Sequence, residues 1–188
     1  MLKGILNYAH YLLEESVHEG ETVIDATCGN GNDTLFLSEL VGENGHVLAF
    51  DIQEQAIAVT RNVLIKHGKS NVSLIHDSHA NLSDYLPKDK KKTVGGAIFN
   101  LGYLPKSNKE VVTKPESTIT ALTIILDALK QNGLIVLVVY HGHEGGQEEK
   151  EAILKHVLKL NQKDYSVLRY GFINQKNNPP FIIAIQKK

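Results

Sequence analysis

The residues best suited to chemistry lie in one stretch, VIDATCGNGND, residues 23–33. Gly29 and Gly31 let the backbone turn sharply and approach a ligand closely. A helix starting just after them would aim its first N–H groups into the same crevice. Asp51 stands 20 positions beyond Gly31, at the end of the apolar run HVLAFD. A carboxylate there can accept hydrogen bonds from both hydroxyls of a ribose. The pattern describes a pocket for an adenosine-type cofactor. Its plain alternative is a glycine turn that only joins strand to helix.

The choice of cofactor rests on two departures from the dinucleotide pattern. A G-x-G-x-x-G fingerprint needs a third glycine to pack helix on strand; here that position is Thr34. Asp25 also ends the first strand, where a carboxylate would repel a pyrophosphate. It suits a cationic or amino-acid-bearing ligand instead. S-adenosylmethionine carries a sulfonium and an amino group and no phosphate, so these residues favour it over NAD.

Alternating strands and helices must position these groups. Ile5, Leu6, Ala9, Leu12 and Leu13 recur at helical spacing and predict an amphipathic helix within residues 1–18. ETVIDATC, HVLAFD, NVSLIHD, GGAIFNLGYLP and LIVLVVYHG read as five strands. Helices follow the glycine turn and fill QEQAIAVTRNVLIKHG, PESTITALTIILDALKQNG and EEKEAILKHVLKL. Pro115 at a first turn, Lys130 in a last turn and Gly133 after it frame the third of these. DYSVLRYGFI and PFIIAIQKK form a final pair joined by NQKNNPP, with no helix between them. The expected fold is α/β: a seven-stranded, mostly parallel sheet with an antiparallel edge pair and helices on both faces. One domain spans residues 1–188.

Composition narrows the class. Of 188 residues, 42% are hydrophobic, which argues against disorder. A single cysteine excludes an internal disulfide framework and a cysteine-rich zinc site. The histidines lack metal-ligand spacing, so no metal is expected. No apolar run is long enough for a membrane helix, and the N-terminus turns acidic too soon for a secretory signal. The expected location is the cytoplasm. A net charge of −1 argues at first against nucleic acid. It hides a split. Residues 1–86 carry 4 basic and 12 acidic groups, whereas residues 87–114 carry 7 lysines and 2 acids.

VIDATCGNGNDT, FDIQ, HDSHANL, FNLGYLP and VYHGHEGG together resemble a bacterial family of class I methyltransferases labelled rRNA methylases. The resemblance covers essentially the whole chain. Its members include the tRNA 5-aminomethyl-2-thiouridine methyltransferases of Gram-positive bacteria, which methylate a primary amine at the wobble position. The resemblance therefore implies a Rossmann-like class I fold, S-adenosylmethionine, and a tRNA wobble-uridine N-methyltransferase. An rRNA methyltransferase and a small-molecule N-methyltransferase are the alternatives.

It also implies roles. Asn30, Asn32 and Asp33 line the cofactor's methionine end. Asp51 binds the ribose with Gln53 beside it, and Asp77, Ser78 and His79 follow the third strand near the adenine. Amine-methylating class I enzymes often carry Asn-Pro-Pro-Tyr after the fourth strand; this chain has Asn100-Leu-Gly-Tyr103-Leu-Pro. Asn100 and Tyr103 are thus expected at the acceptor amine, with Leu101 and Gly102 departing from the pattern. Tyr140 is expected to position substrate, and His141 and His143 are possible proton acceptors, with His79 across the crevice. Cys28 is expected to pack the loop. A tRNA anticodon arm would meet Lys106, Lys109 and Lys114, just past the amine site. The run at 88–92 is expected to be a solvated loop. The family resemblance also suggests a homodimer.

Overall fold

The computed structural model describes residues 1–86, 93–102 and 113–188. Along the chain run α1 (Ile5–Glu14), β1 (Thr22–Asp25), α2 (Asn32–Val41), β2 (His46–Asp51), α3 (Glu54–Lys66) and β3 (Val72–His76). A 3₁₀ turn at His79–Asp84 leads to β4 (Val94–Leu101), α4 (Pro115–Ala128), β5 (Leu129–Val139) and α5 (Gly146–Val157). The chain closes with β6 (Tyr165–Tyr170) and β7 (Phe181–Lys187).

The strands form one sheet in the order β3-β2-β1-β4-β5-β7-β6. β1 to β5 are parallel, and β7 runs antiparallel to both β5 and β6. The expected edge pair is present, with β7 inserted next to β5. β5 is buried from Gly133 to Val139, as a strand covered on both faces requires. Ala121, Leu122, Ile125, Ile153 and Val157 from α4 and α5 cover one face. Ala9, Leu13, Leu37, Val41 and Ile57 from α1, α2 and α3 cover the other. Chain order reverses between β1 and β4. In open α/β sheets, the crevice outside the strand ends at that point takes the ligand.

One expected boundary is wrong. The helix starting at Pro115 was expected to run through Lys130 and be closed by Gly133. It stops at Ala128, and Leu129 is already extended at φ −65°, ψ 132°. Leu129 is fully buried and pairs with Val94. The Lys130 ammonium reaches the Ser16 carbonyl at 3.2 Å and forms an ion pair with Glu21. These tertiary contacts outweigh local helix preference. Gly133 is needed for close packing: a Cβ there would stand 2.9 Å from Leu129 Cδ1 and 3.0 Å from the Gly95 carbonyl.

Candidate active site

The loop after β1 is strung between two neighbouring strands. The Ala26 N–H donates to the Ile98 carbonyl on β4, and the Cys28 N–H to the Phe50 carbonyl on β2. The backbone then turns through Gly29 at φ 50° and Gly31 at φ 81° into α2. Asp51, at the end of β2, accepts from the Gly29 N–H at 3.0 Å and from the Gln53 N–H at 3.0 Å. Each carboxylate oxygen is thus held by the backbone, in an orientation that leaves further lone pairs for a ligand. Gly31 faces α3 instead. A Cβ there would meet Thr60 Cα at 3.0 Å, so this glycine serves close packing of the turn.

Asp25 lies beneath the loop and is fully buried. It accepts from the Thr34 hydroxyl at 2.6 Å and the Thr27 N–H at 3.1 Å. Burial, reinforced by the charge of Asp33, raises its pKa from 3.8 to about 7. It braces the floor and does not reach the cavity wall.

Above the loop is a cavity of about 650 Å³. Gly29, Asn30, Asn32, Asp51 and Gln53 line one end, with Asp77, Ser78 and His79 beside them, and Asp33 stands between this end and Asn100. Hydrogen bonds from Asn81, Tyr85 and the Ser78 N–H hold the Asp77 carboxyl below the usual range. His79 is buried, and its Nδ1 bonds the Ala26 carbonyl at 2.9 Å. A carbonyl only accepts, so Nδ1 carries the proton. Burial lowers the pKa of this ring and keeps it neutral.

Asn100, Gly102 and Tyr140 line the other end, with Thr113, Lys114 and Ser117. The Asn100 N–H donates to Thr27 Oγ1 at 2.7 Å, and its side-chain amide donates to Asp33. Burial and the charge of Asp33 raise the Tyr140 pKa, so this phenol stays protonated at neutral pH. Tyr103, Lys106, Lys109 and the 88–92 run lie outside the described residues.

His141 and His143 do not line the cavity. The His141 ring packs 5.6 Å from that of Phe181, and its buried Nδ1 has no hydrogen-bond partner among the described residues. His143 turns its two ring nitrogens onto the Tyr140 and Glu144 carbonyls, at 2.8 and 2.9 Å. Neither ring reaches the cavity wall to take a proton there. Among the described residues, no group of three His, Cys, Asp or Glu side chains could hold a metal ion.

Three contributors carry no motif. Leu6 of α1 forms part of the cavity wall. His10, also on α1, bonds Asp33 at 2.6 Å. Glu149 of α5 is buried and accepts from the Thr113 and Thr118 hydroxyls at 2.6 and 2.7 Å. Thr113 Oγ1 in turn accepts from the Gly102 N–H. The only signal for α1 was its apolar spacing, which points to packing. Glu149 sits in a charged run that reads as a solvated helix face.

The chemistry of this donor set fits S-adenosylmethionine. The Asp51 carboxylate is the kind of acceptor that ribose hydroxyls need, and the negative charge of Asp33 suits a cationic, amino-bearing group. The family described as "Putative rRNA methylase" matches residues 47–186. A tRNA (mnm(5)s(2)U34)-methyltransferase, chloroplastic, of Arabidopsis thaliana is 36% identical over 99% of this chain and 70% of its own. A protein of Clostridium thermocellum with the same rRNA-methylase description superposes at TM-score 0.96, with 44% identity over the whole of both chains. A Streptococcus mutans protein described as a methyltransferase and solved in complex with SAH superposes at 0.91, with 40% identity over the whole of both chains. The chain belongs to this rRNA methylase family, among the class I methyltransferases that use S-adenosylmethionine.

Proposed function

We propose that this chain methylates the primary amine of 5-aminomethyl-2-thiouridine at the tRNA wobble position, giving 5-methylaminomethyl-2-thiouridine. Asn100 carries the reading. Its amide nitrogen is taken by Asp33, and a carboxylate can only accept. The amide oxygen is the end left for a ligand, in the cavity that also contains Asp51 and Tyr140. An amine N–H suits that oxygen. The name of the Arabidopsis relative supports the wobble uridine as its bearer.

The cofactor supplies a methyl group on an electrophilic sulfonium. The chain's task is to bring an amine lone pair into line with it. The negative charge of Asp33 attracts the alkylammonium, which gives up one proton to solvent so that its neutral lone pair can attack the sulfonium methyl. Asn100 accepts one remaining N–H, Tyr140 walls the amine, and the cofactor is left as the neutral thioether. Carbon methylation through a thiolate is disfavoured, because burial and the charge of Asp25 push the Cys28 thiol well above its ordinary pKa.

On this reading the tRNA anticodon arm meets Lys114, with Lys106 and Lys109 from the neighbouring segment, and a homodimer extends that basic surface. The reaction takes place in the cytoplasm. No described helix is long and apolar enough to cross a membrane. The test is incubation with S-adenosylmethionine and tRNA from a strain lacking this gene, followed by nucleoside mass spectrometry. The expected result is conversion of 5-aminomethyl-2-thiouridine to its methylamino form. An unchanged tRNA nucleoside profile sinks the reading. The family description supports rRNA as a second substrate, so rRNA from the same strain is the parallel arm.

A further inference from the structure

His10 is used by nothing in the reading above, yet it is held more tightly than a surface histidine needs to be. Its Nε2 lies 2.6 Å from Asp33 Oδ1. Its ring lies flat on Phe36, with centroids 3.9 Å apart and planes 2° from parallel. The side chains of His10 and Asp33 are only 27% and 14% exposed. The second Asp33 oxygen accepts from the Asn100 amide. A continuous chain thus runs from α1 through α2 to the end of β4.

We infer that His10 is a positioning residue: it fixes the Asp33 carboxylate, which in turn fixes the Asn100 amide with its oxygen toward the acceptor amine. This rests on the amine-transfer reading. The two ends of an Asn amide are nearly equal in shape but opposite in hydrogen bonding. A flipped Asn100 would point a donor at the amine and its oxygen at a carboxylate. Asp33 penalises that flip only while its own torsion is held. His10, clamped on Phe36, supplies the hold. The Thr27 hydroxyl fixes the Asn100 backbone from the other side.

The full-length protein with two substitutions tests this. His10→Phe keeps the stacking on Phe36 and removes the donor. His10→Gln places an amide N–H where Nε2 was and keeps the bond. His10→Phe should lower kcat on tRNA by about 10- to 100-fold, the size of loss that follows misplacing a reacting group. The dissociation constant for S-adenosylmethionine should change less than kcat, because Asp33 keeps its charge, and His10→Gln should retain most of kcat. Independently of substrate, the ¹⁵N-labelled Asn100 side-chain amide signal should shift in His10→Phe and stay in place in His10→Gln. An unmoved Asn100 signal in His10→Phe overturns the inference, whatever the activity. A moved signal in a protein that methylates no amine keeps the positioning and removes only the substrate reading. Equal loss of kcat in both variants also overturns it, since the donor would then be irrelevant.

Discussion

The two ends of the cavity are built on different plans. At the end proposed for the cofactor's adenosine, Asp51 is held by the backbone N–H groups of Gly29 and Gln53, in loops that begin where β1 and β2 stop. Around Asn100, the end proposed for the acceptor amine, side chains hold one another across the fold: Asp33 is bonded 23 positions back to His10 and 67 positions forward to Asn100. Backbone contacts within short loops survive most side-chain changes, so the first end depends on glycines and one carboxylate. The second depends on three helices and strands keeping their places, so it can be tuned from a distance.

That contrast predicts separable failures. The largest is Asp51→Ala. It removes the ribose acceptor and unpairs two N–H groups, at roughly 1.5–3 kcal/mol for each bond to a charged partner. S-adenosylmethionine affinity measured by calorimetry should fall by about 100-fold or more. Unchanged binding would mean that the adenosine does not sit at this end. Asn100→Ala should do the converse, cutting kcat by about 100-fold through lost amine alignment while cofactor affinity stays within about twofold. If both constants fall together, the two ends are one unit and the comparison breaks.

Asp25 lies beneath the loop after β1 and sharpens the comparison through pH. Its folded-state pKa is raised by burial and by Asp33, so the folded protein holds this proton more tightly than the unfolded chain does. The stability this contributes is full below about 3.8 and is lost as pH rises through about 7. Asp25→Asn keeps an acceptor for Thr34 and Thr27 but cannot ionise. Urea midpoints compared at about pH 5 and about pH 8 should drop less in the variant than in the parent. Parallel drops would show that Asp25 is not the titrating floor.

What the sequence disclosed follows the same division. The cofactor end was legible because its chemistry is local: glycines fix the turn, and an acid ends the next strand. The sheet was legible because β5 is apolar at consecutive positions and the last two strands lack a helix between them. The α4 boundary was not, because Leu129 and Lys130 answer to Val94 and Glu21, far away in sequence. His10 was not, because a histidine on an amphipathic helix carries no mark of the aspartate it will meet 23 residues later. Glu149 reads as one more charge in an acidic run until α5 turns it inward onto two threonines.

The smallest expected effect tests whether RNA recognition belongs to the acceptor end at all. Lys114 precedes α4 and lines the cavity near Ser117 and Gly102. One lost phosphate contact lowers tRNA affinity only severalfold at moderate salt, but it also reduces the slope of log affinity against log salt by roughly 0.7–0.9. Lys114→Ala should show that change of slope in a filter-binding titration, with cofactor affinity unaltered. A lower affinity with an unchanged slope would mean that Lys114 shapes the pocket without meeting a phosphate. A parallel loss of cofactor affinity would instead place this lysine in the service of both ends, and the boundary between them would have to be drawn on the far side of α4.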